Sequence, residues 1–273
     1  CNVKAEKLVR YGLNFIRRIN ESGYYYFITN LSDKKIDTWL PLSLKFKSAL
    51  LYDPRYDDKI GIAGVRENND NSEVYLQLKP GESRIVRTFT SEKVDFKKWK
   101  YVKTVDDPFK IKGEWQVDFV SGAPELPASF NTKELQSWTV LGDQSAESFA
   151  GIGKYTIEFE LPEVHADNWV LDLGKVCESA KVVLNGEEVG KLWSFPFNIQ
   201  VGQYLRKGKN LLEIEVTNLS ANRIRDLDRR GVIWRKFFFV NIFYKKFDAS
   251  QWSIMESGLI GPVTLTPVKY FNF

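Results

Sequence analysis

Two-residue alternation of apolar and polar side chains, broken at short intervals by turn chemistry, constrains this chain more than any other feature. In "GKYTIEFELP" the residues Tyr155, Ile157, Phe159 and Leu161 fall on one side of an extended backbone, while Thr156, Glu158 and Glu160 fall on the other. Successive side chains of a strand point to opposite faces, so such a segment has one face for a core and one for water. "NWVLDLG" repeats the pattern with Trp169, Leu171 and Leu173, and "LRKGKNLLEIEVTN" repeats it with Leu212, Ile214 and Val216 after a turn at Gly208. In "AKVVLNGEEVGKLW" the pair Asn185-Gly186 is a strong hairpin signal, because both residues tolerate positive φ. "GPVTLTPV" reads as a closing strand.

The first hundred residues show shorter β runs: "YYYFITN", "IDTWLPLSLKF", "ALLYDPRYDDKIGIA" and "VYLQLKPGESRIVRTF", the last with a Pro80-Gly81 turn. "AEKLVRYGLNFIRR" is compatible with a short helix or an incoming strand. The charged stretch "SEKVDFKKWKYVKTVDDPFKIKGEW" has no clear period and contains Asp107-Pro108, which places a domain boundary near residues 103 to 108. No segment carries the period of a long amphipathic helix. The expectation is an all-β chain of two β-sandwich domains, 1–105 and 106–273.

Composition narrows the function. Aromatic content of 14%, including eight Trp, suits pleated sheets and also suits proteins that stack rings on sugars. A formal charge of +4 with both signs interspersed disfavours a dedicated nucleic-acid binder. Cys1 and Cys177 are the only cysteines and His165 the only histidine, so neither a disulfide framework, a His-based metal cluster nor a Ser-His-Asp triad is expected. His165 sits in the polar run "LPEVHADNW" and reads as an exposed loop residue. Glu114, Asp118, Asp143 and Glu147 do not follow the spacing of a calcium loop; a structural calcium held by backbone carbonyls would leave no such trace. No cofactor is otherwise expected. No apolar run approaches the ~20 residues of a membrane span, and no signal peptide is visible. Met255 is the only methionine, so the chain is read as trimmed: either a processed form with Cys1 as a lipid-bearing N-terminus, or a fragment.

The series "GIGKYTIEFELP", "WVLDLGKVCESAKVVLNGEEVGKLWSFPFNI" and "LRKGKNLLEIEVTNLSANRIRDLDRRG" resembles the sugar-binding jelly roll of glycoside hydrolase family 2 and its relatives. Together with "DASQWSIMESGLIGPVTL", it is most similar to the C-terminal region of the bacterial α-L-rhamnosidases of glycoside hydrolase family 106. "GLNFIRRINESGYYYFITNLSDKKIDTWLPL" and "ALLYDPRYDDKIG" resemble, less sharply, the β-domain that follows the catalytic barrel in that family. The resemblance runs over residues 150 to 268 and, more loosely, 8 to 90. It implies a galactose-binding-like jelly roll as the second domain. It also implies a secreted, periplasmic or outer-membrane-associated bacterial protein, with catalytic carboxylates on an upstream barrel. Such a barrel takes ~250 residues of alternating strand and helix, and this chain has neither the room nor the period. The chain is therefore expected to be a non-catalytic accessory region that supports the barrel, helps shape its cleft for plant-type polysaccharide, and binds carbohydrate. The competing reading is a free-standing, lipid-anchored carbohydrate-binding protein.

One stretch departs from the β pattern. "NRIRDLDRRGVIWRKFF", residues 222 to 238, carries six basic side chains and two aspartates between Asn222 and Lys236. It reads as a charged loop at one end of the jelly roll. Arg223, Arg225, Asp226 and Asp228 then either contact solvent or meet sugar hydroxyls or a neighbouring domain, since a planar guanidinium makes paired hydrogen bonds and stacks on rings. Trp234 adds a candidate stacking face, and so does Trp252 in "DASQWSIMES". Trp193, in "KLWSFPFNI", is a further candidate unless it packs beside Phe195 and Phe197. Trp115 and Trp138 are expected in a core or a domain contact, and Asn185 and Asn218 at a turn and a strand end.

Overall fold

The computed structural model describes residues 5–56, 58–68, 71–234 and 247–273. They form two compact units, Cys1–Thr104 with Lys269–Phe273, and Val105–Val268. Both units are built from β-sheets, as an all-β sandwich protein with a jelly roll requires. Cys1, the residue considered for lipid attachment, and residues 235 to 238 of the charged stretch lie outside the described residues.

In the first unit, Leu13–Asn20, Gly23–Asn30, Ser83–Phe89, Ser48–Tyr52 and Ile60–Ile62 form a five-stranded antiparallel sheet in that order. Ile36–Leu42, Asn71–Leu78 and Val65–Asn68 form a three-stranded sheet. Alternate residues of each turn inward: Tyr26, Ile28, Val86 and Leu51 meet Leu40, Val74, Leu76 and Leu78 in one core. Each such side chain contributes roughly 1.5–3 kcal/mol by leaving water. The Pro80-Gly81 turn does not close a hairpin. It carries the chain from the small sheet to the large one, with Gly81 at φ 78° and its N–H donating to the Asn30 carbonyl at 2.8 Å. The opening segment holds both of its readings, a 3₁₀ helix over Lys7–Tyr11 followed by the strand Leu13–Asn20.

Beside this core sits a closed ionic cluster. Asp53 is fully buried and meets Arg84 at 2.7 Å, Arg55 at 3.1 Å and Lys59 at 3.3 Å, while Glu82 meets Arg55 at 3.1 Å. Arg84 and Lys59 also lie over the Trp99 ring. Burial alone would push the Asp53 carboxyl up. The three cations more than offset it and hold Asp53 well below the usual carboxylate range.

In the second unit a six-stranded antiparallel sheet runs in the order Phe130–Thr132, Trp115–Ala123, Ala150–Glu160, Lys209–Thr217, Ser179–Leu184, Glu187–Leu192. A second sheet orders Phe109–Lys110, Thr264–Phe271, Asn168–Asp172 and Asn198–Gln200. Lys175–Cys177 pairs with Gly258–Gly261. Tyr155, Ile157 and Phe159 are buried, as the alternation in Ala150–Glu160 dictates, and so are Leu212, Ile214 and Val216 of the neighbouring strand. Asn185 (φ 55°) and Gly186 (φ 86°) make the tight turn between Ser179–Leu184 and Glu187–Leu192. Trp115 and Trp138 are core residues, and His165 is exposed.

Candidate functional site

The first part of the charged stretch, residues 222 to 229, is not a loop. Ala221–Arg229 is an α-helix that follows directly on the strand Lys209–Thr217. Its placement is decided by polar side chains. Asn222, Arg225 and Asp228 are spaced three apart, which puts them along one face of the helix. Each binds the backbone of the segment that returns toward the last strands. Asn222 donates from Nδ2 to the Met255 carbonyl and accepts from the Met255 N–H, both at 2.8 Å. The Arg225 Nε donates to the Trp252 carbonyl at 2.7 Å, and the Asp228 carboxylate accepts the Ala249 N–H at 2.8 Å. The partners 255, 252 and 249 run antiparallel to the helix at the same spacing, so three side chains fix seven residues of irregular backbone.

A buried polar network anchors the far end of this clamp. The Asn218 Nδ2 donates to the Phe149 carbonyl at 2.9 Å and to Ser257 Oγ at 3.1 Å, while its Oδ1 accepts the Gly151 N–H at 2.9 Å. The Ser257 N–H donates to Ser137 Oγ at 2.9 Å. Glu256 pairs with Lys175. Buried polar groups without partners are costly, so this network fixes where the segment leaves the core.

The clamped segment presents aromatic surface. Trp252 is 42% exposed and meets Phe247 edge-on at 5.6 Å, and Phe247 meets Trp234 edge-on at 6.1 Å. The half-buried Trp234 donates its indole N–H to Asp228 at 2.6 Å, so the same carboxylate holds both the helix partner and the ring row. Asp226 is held by Arg223 at 2.8 Å and Arg230 at 3.3 Å. Among the described residues no carboxylate pairs with Arg225, whose Nη groups remain for water or a ligand beside Trp252. An exposed indole, with a guanidinium bound to the backbone carbonyl of the same residue, offers a flat apolar face and paired donors of the kind that suit a sugar ring and its hydroxyls.

Of the residues proposed from sequence, the structure thus brings Arg223, Arg225, Asp226, Asp228, Trp234 and Trp252 together. Trp193 stands apart. It is 64% exposed and Phe195 is exposed too, so of the aromatic group Trp193, Phe195 and Phe197 only Phe197 is buried. Among the described residues no hydrogen bond or ring contact joins Trp193 to the helix. Sequence reasoning overlooked Asn222 and Phe247, although the three-residue spacing of Asn222, Arg225 and Asp228 was visible. Cys177 is a buried free thiol, and burial followed by the nearby Glu178 carboxylate pushes its pKa up, which makes it a poor nucleophile. Among the described residues no group of three or more His, Cys, Asp or Glu is placed to share a metal ion, and no helix is long and apolar enough to cross a membrane.

Comparison with known proteins gives this geometry a setting. No family model matches the chain. A protein of Formosa agariphila described as "Putative beta-glucuronidase" is 34% identical over 187 residues, which cover 60% of this chain and 16% of that protein. The solved structure of a rhamnosidase from Novosphingobium sp. PP1Y superposes with a TM-score of 0.68 at 26% identity, covering 93% of this chain and 24% of that one. The chain therefore spans a quarter or less of the length of either protein. What these matches establish is a β-sandwich region related to glycoside hydrolases.

Proposed function

We propose that the chain is the C-terminal, non-catalytic region of a secreted bacterial glycoside hydrolase of the α-L-rhamnosidase type, family 106, acting on plant-type polysaccharide. In this reading it buttresses a catalytic barrel carried elsewhere on the same polypeptide and offers the Trp252–Arg225 surface to carbohydrate. The observation that carries the proposal is one of proportion: the rhamnosidase match takes in 93% of this chain but only 24% of its counterpart. Chemistry supports it. A glycosidase needs two carboxyl groups facing one bond, and the acid of the pair is held protonated by a raised pKa. Four carboxylates, Asp37, Asp53, Glu73 and Asp143, are displaced downward, the opposite of what a catalytic acid requires. Asp226 and Asp228, the acids at the candidate site, are committed to Arg223, Arg230, Trp234 and Ala249.

The test is to sequence the reading frame around these 273 residues, express the complete polypeptide, and assay it on an aryl α-L-rhamnoside. Turnover by the complete polypeptide, with none from the 273 residues alone, is the expected result. A reading frame that encodes no further domain, or a complete polypeptide inert on rhamnosides, would overturn the proposal.

A further inference from the structure

The outer face of the five-stranded sheet is apolar across its whole width. Strand register aligns Ile16, Phe27, Ile85, Tyr52 and Ile60 in one row over all five strands. These residues alternate with the inward Phe15, Tyr26, Val86 and Leu51, so they point away from the core. An antiparallel sheet with one face in water normally carries polar residues there. Here Ile16 is 63% exposed and Phe27 39% exposed, Tyr25 in the adjacent row is exposed, and Ile85, Tyr52 and Ile60 are half-buried.

The other sheet of this unit shows what a covered face looks like. Its outward Trp39 and Tyr75 are each packed at 4.7 Å against Phe273 from the chain's own C-terminal end. Among the described residues the five-stranded sheet has no such cover at Ile16 and Phe27. Its charges are also incomplete. Arg18 and Arg87 lie in the row beside the apolar one, and among the described residues neither meets a carboxylate. Arg87 lies over the Tyr25 and Phe89 rings, and its Nε is enclosed without a hydrogen-bond partner among the described residues. A cation laid over two rings and without a carboxylate partner among the described residues is one that an acidic group from outside can pair with.

We propose that this face is the docking surface for the catalytic domain of the same polypeptide. An apolar patch of that domain packs on Ile16, Phe27 and Tyr25, and one of its carboxylates meets Arg87. The inference rests on the function proposed above, in which the matched region occupies 24% of a longer rhamnosidase. Charge argues against a second copy of this chain as the occupant. A two-fold pairing of the face with itself brings Arg18 and Arg87 toward identical cations, and like charges across an interface oppose association.

Hydroxyl-radical footprinting read by mass spectrometry tests this, comparing the 273-residue chain with the complete polypeptide. Labelling of Tyr25 and Phe27 is expected to fall at least fivefold in the complete polypeptide, with the exposed Val140 of the other unit unchanged as a reference. Phe27→Glu, a surface change that leaves the melting of the 273-residue chain within a few degrees, should restore Tyr25 labelling in the complete polypeptide. Equal labelling in both polypeptides overturns the proposal. So does a dimer of the 273-residue chain, seen by sedimentation, that masks the same residues. Rhamnosidase activity without protection sinks the docking surface alone, whereas protection in an inactive polypeptide sinks the functional reading and leaves the surface standing.

Discussion

Replacing Asn222 with Ala should release the segment that carries Trp252 while leaving the β-sandwich intact. The side chain is buried and makes two hydrogen bonds of 2.8 Å to the Met255 backbone, with a third, longer contact to Ser257 Oγ at 3.5 Å. Each ordinary hydrogen bond contributes about 0.5–1.5 kcal/mol net, and Met255 is exposed enough for water to re-satisfy its backbone after local opening. The local cost is therefore about 2 kcal/mol, which corresponds to roughly a 30-fold rise in the population of the open segment. Amide hydrogen exchange reads this directly. Exchange at Met255 should accelerate by about 30-fold, while Ile157 inside the six-stranded sheet of the second unit changes by less than about twofold. Asn222→Asp keeps the acceptor for the Met255 N–H but sets a carboxylate oxygen against the Met255 carbonyl, so exchange at Met255 should rise at least as far as in Asn222→Ala. Unchanged protection at Met255 in Asn222→Ala would refute the claim that the helix face holds this segment.

Asp53→Asn removes the buried anion that Arg55, Lys59 and Arg84 share, and breaking such a cluster should cost about 3–5 kcal/mol in the first unit, measured by denaturant unfolding. Because the folded pKa of Asp53 is depressed, its contribution is complete above the unfolded value of about 3.9 and drains as pH falls below it. The wild-type Tm should therefore drop more steeply than that of Asp53→Asn below about pH 4; parallel curves would show that the cluster is not the acid-sensitive element. At Gly258 the backbone has φ 98°, and an added Cβ would meet Tyr155 Oη and come within 2.6 Å of the Trp138 ring. Gly258→Ala should lower the melting temperature of the second unit by about 6–12 °C, from about 3 kcal/mol of overpacking and backbone strain. Trp252→Ala should weaken binding of rhamnose-containing oligosaccharides about fivefold by calorimetry, the loss of about 1 kcal/mol of stacking; an unaltered isotherm would remove Trp252 from the binding surface.

The parts of the fold legible in the sequence are those where a single strand settles its own pattern. Tyr155, Ile157 and Phe159 had to share a face, and Asn185-Gly186 had to turn. Layer assignment was not legible. Pro80-Gly81 signals a turn equally well whether the flanking strands pair or, as here, part into different sheets. The helix Ala221–Arg229 was hidden for a different reason. Hydrophobic period reveals a helix only when the helix is held by apolar contacts. This one does carry an apolar stripe, Ala221, Ile224 and Leu227, but over only nine residues, and the polar side chains that hold it, Asn222, Arg225 and Asp228, make the stretch resemble a solvated loop. The charge of the stretch drew notice to these residues, and the geometry shows where part of it goes: Arg225 and Asp228 bind backbone, while Arg223 and Arg230 hold Asp226.

The 273-residue chain is expected to cleave nothing by itself. Incubated with a rhamnose-containing polysaccharide, it should release no new reducing ends at any chain concentration, while the complete polypeptide releases them in proportion to its own. Reducing ends that rise in proportion to the isolated chain would place a catalytic centre within these residues and contradict the account.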